Sequence, residues 1–328
     1  MKVVILETYR KTKEHSFDGQ LRGALILQKE LGWEVVFAFD QGHYKRLFQE
    51  KIDVIILSRG MFWTDRENMT RLLDLNPQAK VYFMIWDYVM KTNSFIREIN
   101  KKRNLILLTN GYDDGEKTLK IKKEFSKTIV YDFNLLLAKK PNPLEQKIYD
   151  VIYWGGFREK RKKYFEKYFK ENIFVSSIDK DKFKDVCPKC DLVSWLSQSF
   201  YNWDNSDILN RFYATIYIND DVPYTQPMSN RVYEALQHNV LVFFDANCKS
   251  VMGKAGLKND FFIVDSYKEL IDKVKETKKD LNHLACLNIQ QSWYLKKLIE
   301  QKELLQSLKR DIENEKDANI VNTANIAG

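Results

Sequence analysis

The stretch DVIYWGGFREKRKKYF, residues Asp150–Phe165, predicts the fold of the region around it. Asp150–Tyr153 has the apolar and β-branched character of a short buried strand. Gly155 and Gly156 then break the strand, and a basic helix is predicted to begin near Arg158. A strand, a glycine turn and a helix start together make a place where backbone N–H groups can bind an anion. The same pattern also fits a plain glycine turn before a basic surface helix, so the motif alone leaves both interpretations open.

Similar strand-and-helix units precede and follow this stretch. Short runs rich in β-branched and aromatic residues alternate with segments of helical periodicity. The predicted strands of the first half are Val3–Glu7, Glu34–Phe39, Asp53–Ser58, Lys80–Ile85 and Asn104–Thr109. Those of the second half are Tyr149–Tyr153, Ile173–Ser177, Tyr213–Asn219, Val240–Asp245 and Phe261–Asp265. Because this alternation favours parallel sheets covered on both faces, we expect an α/β protein of two doubly wound Rossmann-like domains facing across a cleft.

A break in the alternation separates the two predicted domains. The segment KKPNPL, residues 139–144, carries two prolines, which disfavour helix and mark a linker. We therefore expect an N-terminal domain over residues 1–143 and a C-terminal domain over residues 144–289. Residues 290–314 are predicted to form one long helix that packs back on the first domain, and residues 315–328 a polar tail.

Composition favours a soluble intracellular protein. The 328 residues fit two domains of ordinary size, and a hydrophobic fraction of 44% is enough for two cores. The apolar runs are of strand length, so we expect neither a membrane helix nor a leader segment. Four cysteines do not make a disulfide framework. The CPKC motif at Cys187–Cys190 has metal-ligand spacing, but without a second pair of ligands it favours a turn with free thiols over a zinc site.

The net charge of +8 is concentrated in one part of the chain. Residues Lys91–Lys170 contain 20 Lys and Arg against 10 Asp and Glu, a net of +10, and the remainder has 33 against 35, a net of −2. A lysine-rich stretch is often only a set of solvated helix faces. A concentrated excess also attracts a polyanion, and we favour binding to a phosphate backbone.

A second motif, SNRVYEALQHNVLVFFD at Ser229–Asp245, adds charged side chains near a predicted helix start. Ser229 or Asn230 can cap this helix, and Arg231 and Glu234 lie three residues apart on one face. Such a pair is usually an intrahelical ion pair. At a helix start, however, an arginine can hold a diphosphate, and a glutamate can accept hydrogen bonds from a ribose diol. The combination indicates a nucleotide-sugar site.

Three segments of the second half resemble the β-glucosyltransferases with which T-even phages modify their DNA. They are YDVIYWGGFRE at Tyr149–Glu159, NRVYEALQHNVLVFFD at Asn230–Asp245 and FFIVDSYKELIDKVKETK at Phe261–Lys278, in the family's order and with similar spacing. The first half resembles the family more faintly, through residues 1–6, 30–35 and 80–87. The resemblance implies the GT-B fold and an inverting transfer of a sugar from a UDP-sugar to 5-hydroxymethylcytosine in duplex DNA.

The resemblance also implies roles for particular residues. Arg158 and Arg231 would bind the diphosphate, and Glu234 would bind the ribose. Asp87 would be the catalytic base that takes the hydroxymethyl proton, although its position alone would favour a helix N-cap or a loop carboxylate. By helical spacing, Arg161 or Lys162 would lie on the same side as Arg158, and Lys162 is taken as the further donor-side cation. The other donor-side positions are Gly156, Ser176, Leu196 and Tyr224, and the acceptor-side positions are Asp18 and Gln20.

The chain departs from the family pattern at several of these positions. Gln20 replaces an acidic residue, Ser176 replaces a glycine, and residues 220–226 differ in character. The resemblance implies glucose as the sugar. Because the departing positions touch the sugar or the acceptor base in the family, a pentose stays open. A divalent Mg²⁺ or Mn²⁺ ion would be compatible with such a donor, although arginine side chains already offset the charge of a diphosphate.

The resemblance gives a set of expected partners. They are a UDP-sugar and double-stranded DNA, with no membrane, for a monomer that works in the cytoplasm of an infected host cell. Two alternatives stay open. The chain could be a GT-B glycosyltransferase that acts on a glycan or lipid-linked acceptor, or a non-catalytic relative that binds nucleic acid.

Overall fold

The computed structural model describes residues 1–7, 19–38, 40–58, 65–85, 94–109, 123–130, 145–177, 179–193, 206–218, 230–254, 257–299 and 305–312. These residues divide into two compact units. The first unit contains the described residues up to 130 together with residues 305–312. The second unit contains those from 145 to 299.

The first unit is built on a parallel sheet. Its strands are β1 Val3–Glu7, β2 Glu34–Phe37, β3 Val54–Ser58, β4 Lys80–Ile85, β5 Ile106–Thr109 and β6 Lys127–Val130. Its helices are α1 Gly19–Leu31, α2 Gln41–Leu47, α3 Arg66–Leu75 and α4 Ser94–Arg103. The strand order is β2-β1-β3-β4-β5-β6, and every pairing is parallel. Since the chain leaves β1 for β2 on one side and reaches β3 on the other, the topological switch point lies between β1 and β3.

The composition of the central strands explains why this sheet is covered on both faces. The strands β1 and β3 read VVILE and VIILS, and every residue of both is buried. Unbroken apolar runs of this kind are typical of parallel strands packed between two helical layers. The helix α3 supplies the complementary pattern, because Met69, Leu72 and Leu73 are buried on one of its faces.

The second unit repeats the architecture with a different order. Its strands are β7 Tyr149–Trp154, β8 Ile173–Ser176, β9 Asp191–Val193, β10 Phe212–Tyr217, β11 Leu241–Asp245 and β12 Ile263–Val264. Its helices are α5 Lys162–Tyr168, α6 Lys180–Val186, α7 Ser206–Leu209, α8 Asn230–Gln237, α9 Lys249–Lys254, α10 Tyr267–Lys279 and α11 Leu281–Ile299. The order β12-β11-β10-β7-β8-β9 is parallel throughout and puts the switch point between β7 and β10.

An aromatic cluster fixes the helices that follow β7 and β8 against the second sheet. The ring of Tyr153 in β7 lies 5.5 Å from that of Phe165 in α5 and 4.9 Å from that of Phe169. The ring of Phe183 in α6 lies 4.9 Å from that of Phe165. Edge and tilted aromatic pairs at these separations stabilise beyond the area that they bury. The cluster therefore gives a rigid base to the turn that follows β7.

The prediction of two doubly wound α/β domains is confirmed, and some element bounds differ from those predicted. The strands β6 and β9 were not predicted. The helix α11 begins at Leu281, nine residues before the predicted start at residue 290, and the second unit runs to Ile299. The domain boundaries inferred from the sequence stay a prediction. Among the helices that the structure describes, none combines the length and the apolar character needed to cross a membrane.

Candidate functional site

The switch point of the second sheet brings together the two motifs that the sequence singled out. Ligands of doubly wound folds bind beyond the carboxyl ends of the strands at such a point. The turn with Gly155 and Gly156 follows β7 directly, and α8, which carries Arg231, is the first described helix after β10. The structure therefore puts the glycine turn and Arg231 at one edge of the sheet.

The guanidinium group of Arg231 lies directly against the glycine turn. Its Nη1 donates a hydrogen bond to the main-chain oxygen of Trp154 at 2.9 Å, and its Cζ lies 5.2 Å from the ring centre of Tyr153. Gly155 has a φ of +141°, and a Cβ at this position would meet Arg231 Nη1 at 3.1 Å. Only glycine adopts this conformation without strain, so Gly155 permits both the turn and the close approach of the arginine.

Glu234 contacts Trp154, the residue that Arg231 also contacts. The indole Nε1 of Trp154, which is 1% exposed, donates a hydrogen bond to Glu234 Oε2 at 3.1 Å. The contacts of the described residues include no ion pair between Arg231 and Glu234. The two charged side chains of α8 instead contact the end of β7 separately, one through the backbone and one through the indole ring. This arrangement orients a guanidinium and a carboxylate in fixed positions.

Arg161, the alternative to Lys162 as the second cation of this segment, lies in this cluster. The guanidinium groups of Arg161 and Arg231 both approach the buried hydroxyl of Tyr153, although neither contact has the geometry of a regular hydrogen bond. Burial raises the pKa of Tyr153, but the two positive charges outweigh that effect and hold the pKa below its usual value. Two guanidinium groups side by side make a locally positive site, which suits phosphate oxygens.

The other donor-side candidates of this segment are spread around the turn. Arg158 is exposed and extended, and it precedes a 3₁₀ turn over Glu159–Arg161. Lys162 is the first residue of α5 and is exposed, whereas Arg161 is 7% exposed. Gly156 is exposed. Ser176, at the end of β8, is buried, and its carbonyl accepts the Gly155 N–H at 3.2 Å.

The carboxylate of Asp179 also stabilises the glycine turn. Asp179 Oδ2 accepts the backbone N–H of Phe157 at 2.9 Å and would lie 3.3 Å from a Cβ on Gly156. Asp179 thus fixes the turn through its backbone. Across the part of the chain that the structure describes, no three His, Cys, Asp or Glu side chains form a group that could hold a metal ion.

Several predicted site residues lie outside the described residues. They are Asp87, Asp18, Leu196 and Tyr224. Gln20 is the second residue of α1, and the structure does not describe its side chain. The positions proposed for the catalytic base and for much of the sugar and acceptor contacts therefore stay predictions from the sequence.

A buried polar pair marks the switch point of the first sheet and was not predicted. Ser58 Oγ, at the end of β3, donates a hydrogen bond to Glu7 Oε1, at the end of β1, at 2.7 Å. Ser58 is fully buried and Glu7 is 2% exposed. A buried carboxylate is costly to desolvate, so its position at the ligand-binding edge of a sheet is a feature of interest.

Comparison with known proteins identifies the fold. No protein-family model and no curated protein matches the chain. Among solved structures, T4 phage BGT with its UDP-glucose substrate is similar, with a TM-score of 0.68 and 14% identity over 95% of this chain and 99% of that chain. A structure of the DNA-modifying enzyme β-glucosyltransferase gives a TM-score of 0.67 at 15% identity with the same coverage of both chains. T4 phage BGT with UDP and Mn²⁺ gives 0.65 at 14% identity, again over 95% of this chain and 99% of that chain. The chain therefore has the two-domain α/β fold called GT-B, as the sequence predicted.

Proposed function

We propose that the chain is an inverting glycosyltransferase that moves a sugar from a UDP-sugar to 5-hydroxymethylcytosine in duplex DNA. We take glucose as the first candidate for the sugar. One observation carries the proposal, namely that Arg231 and Glu234 are both anchored on Trp154 at the switch point of the second sheet. The likeness of the fold to a phage enzyme solved with UDP-glucose supports the same assignment.

The donor diphosphate would lie against the glycine turn after β7. Arg231 and Arg161 supply positive charge from buried or half-buried positions, and the exposed Arg158 can close over the phosphates from the turn. Preorganised charge of this kind stabilises the developing negative charge of a departing diphosphate by several kcal/mol. Gly156, Lys162, Ser176, Leu196 and Tyr224 are proposed as further donor contacts.

The ribose would bind to Glu234. Its carboxylate is held by the Trp154 indole at 3.1 Å, so it is oriented before the nucleotide arrives. A carboxylate can accept two hydrogen bonds from the vicinal hydroxyls of a ribose. Recognition of the ribose would therefore depend on the Glu234 carboxylate, whose position the buried Trp154 determines.

Asp87 is the proposed catalytic base, on the strength of the family resemblance and of its place two residues beyond the end of β4. The hydroxymethyl oxygen of the acceptor would form a bond to the anomeric carbon while the bond from that carbon to the diphosphate oxygen breaks. The Asp87 carboxylate would take the hydroxymethyl proton, and UDP would leave. Asp18 and Gln20 are proposed to lie on the acceptor side. No step is assigned to a metal ion.

Duplex DNA is the proposed acceptor because of the basic stretch of the sequence. In α4 the side chains of Lys101 and Lys102 are exposed, and so is that of Arg97, whose Nε lies 3.5 Å from Glu124 Oε2. Contacts of basic side chains with phosphates position a protein on DNA without reading its sequence. We propose that the chain acts as a monomer in the cytoplasm of a phage-infected cell. A glycan or lipid-linked acceptor, the alternative left by the sequence, has no need for such a surface.

Nucleoside analysis tests the proposal directly. Duplex DNA with and without 5-hydroxymethylcytosine is incubated with the chain and a panel of UDP-sugars, digested, and analysed by mass spectrometry. We expect one glycosylated nucleoside, formed only from the hydroxymethylated duplex. The Asp87→Asn variant should form none while it still binds UDP in calorimetry. Transfer to a free glycan with no transfer to DNA would show that the acceptor is a glycan. If no sugar were transferred from any donor, the proposal of an enzyme would lose its support.

A further inference from the structure

The two cysteines of the CPKC motif lie in a single turn of the second unit. The turn connects α6, which ends at Val186, to the edge strand β9. The backbone N–H of Cys190 donates to the carbonyl of Cys187 at 3.1 Å, which closes a four-residue turn. The first and last Cα atoms of such a turn lie within about 7 Å of each other, which is the range that a disulfide spans. Both thiols are free.

Hydrogen bonds hold each sulfur in a defined position. Cys187 Sγ donates to the carbonyl of Phe183 at 3.1 Å, and Cys190 Sγ donates to the carbonyl of Lys170 at 3.2 Å. Cys187 is 1% exposed, whereas Cys190 is half-buried and therefore reachable from solvent. The pair thus consists of one accessible thiol and one thiol protected behind it.

The two thiols also interact with each other. The neighbouring Cys190 thiol lowers the pKa of Cys187, against the effect of burial, and the Cys187 thiol raises the pKa of Cys190. A zinc site would need further ligands, and among the described residues this pair belongs to no group of three His, Cys, Asp or Glu side chains that could hold a metal ion.

We propose that Cys187 and Cys190 are a modification site that forms a reversible intramolecular disulfide with a disulfide oxidant. The thiol of Cys190 loses its proton to solvent and attacks oxidised glutathione, which releases one glutathione thiolate. The thiolate of Cys187, formed by loss of its own proton, then attacks the Cys190 sulfur of the mixed disulfide and releases the second glutathione. The protein loses two protons and two electrons, and the oxidant becomes two molecules of glutathione.

The test uses the full chain and its two remaining cysteines as internal controls. The chain is equilibrated in buffers of increasing oxidised-to-reduced glutathione ratio, quenched with acid, alkylated, cut with trypsin and analysed by mass spectrometry. Trypsin cuts after Lys189, so the oxidised pair is recovered as two peptides joined through sulfur. We expect this linked pair, lighter by two hydrogens and without alkyl groups, to replace the alkylated peptides and to return to them with dithiothreitol. Cys286, which is exposed and distant in sequence from the pair, should give only a glutathione adduct.

Variants separate the proposal from its competitors. Cys190→Ser keeps a hydroxyl donor for the Lys170 carbonyl, so the variant should fold as the wild type does, by circular dichroism, and form no linked pair. Cys187→Ser should leave Cys190 as a glutathione adduct that cannot be resolved. The proposal is overturned if the wild type gives only glutathione adducts over the whole series. It is equally overturned if the purified chain holds one equivalent of zinc that either substitution removes.

Discussion

The Trp154 indole donates its hydrogen bond to Glu234 across 80 residues of sequence, and this contact attaches the second turn of α8 to the end of β7. The same tryptophan receives the guanidinium of Arg231 on its main-chain oxygen. A buried residue that contacts one charge through its indole and the other through its main chain makes the charges of α8 part of a rigid arrangement. The geometry of the proposed nucleotide site is therefore determined before any ligand binds, which would reduce the ordering cost of binding.

Glu234→Ala should weaken the binding of UMP and UDP equally, because both carry the ribose diol. Loss of a charge-assisted hydrogen bond costs about 1.5 to 3 kcal/mol, or roughly tenfold to a hundredfold in affinity. Glu234→Gln keeps an oxygen that can accept from the Trp154 indole, so it should be the more stable variant. Isothermal titration calorimetry with both nucleotides decides the point. If Glu234→Ala lost affinity for UDP but not for UMP, Glu234 would act on the phosphates and not on the ribose.

Arg161→Ala should weaken UDP binding by roughly tenfold or more, whereas Lys162→Ala should change it little. The reason is that Arg161 is buried beside Tyr153 and Arg231, while Lys162 is exposed. UMP should bind almost equally to both variants, since it lacks the second phosphate. Thermal melting of each variant without nucleotide separates binding from folding. If Lys162→Ala weakened UDP binding more than Arg161→Ala does, Lys162 and not Arg161 would be the second cation that binds the diphosphate.

Gly155→Ala should destabilise the fold and weaken UDP binding together. The backbone at this position has a φ of +141°, and the added Cβ would lie 3.1 Å from Arg231 Nη1 and 3.4 Å from the Tyr153 hydroxyl. Strain of this kind costs roughly 1 to 3 kcal/mol. Gly253→Ala is the matched control, because Gly253 lies in α9 with no atom within 4 Å of the new Cβ. Denaturant unfolding should show the control to be neutral or stabilised, and equal losses in both variants would contradict the prediction.

The buried Lys147 should make stability depend on pH. Burial lowers the pKa of Lys147 from 10.5 to about 7, against the opposing charge of Glu145, while its Nζ donates to the carbonyl of His238 at 3.0 Å. Between these two values the unfolded chain binds a proton that the folded chain lacks, so the free energy of unfolding rises with pH across that window. The difference in this free energy between the wild type and Lys147→Met should therefore increase from pH 7 to pH 10 by a few kcal/mol, to order of magnitude.

A parallel measurement controls for the other groups that titrate in this range. Lys160→Met removes an exposed lysine of the same unit and is the matched control for the loss of one lysine. A flat difference for Lys147→Met would mean that the lysine keeps its proton in the folded chain.

Binding to duplex DNA should weaken steeply with salt, because each phosphate contact releases a counterion. Substitution of Arg97, Lys101 or Lys102 by Ala should each lower the slope of log affinity against log salt by about one. Lys249→Ala, an exposed position outside the basic stretch, should leave the slope unchanged. Fluorescence anisotropy across a salt series provides both values. An affinity independent of salt would leave the basic stretch without its proposed role.

Much of the fold could be predicted because its central strands are apolar runs between clear turn signals. The bounds of Val3–Glu7 and Lys80–Ile85 agree with those of β1 and β4 to the residue. The edge strands β6 and β9 were missed, since short edge strands with polar residues carry little of the buried pattern.

The sequence left Arg161 and Lys162 as alternatives and could not decide which of the two faces inward. A 3₁₀ turn advances each side chain by about 120°, whereas an α-helix advances it by about 100°. The 3₁₀ turn at Glu159–Arg161 therefore changes which of two neighbouring basic residues faces Tyr153. Glu7 was missed for another reason. Its partner Ser58 is 51 residues away, and a glutamate at the end of a strand is ordinarily exposed.

Residues 305–312 contribute Leu305, Leu308 and Ile312, all buried, to the unit that otherwise ends at residue 130 in the described chain. A ribosome makes these three residues only after it has made the whole of the other unit. Until then the apolar surface that these residues cover in the first unit stays exposed. The second unit is synthesised completely during this time and can fold first. Domains of nascent chains usually mature in the order of their synthesis, and here the unit begun first is the unit finished last.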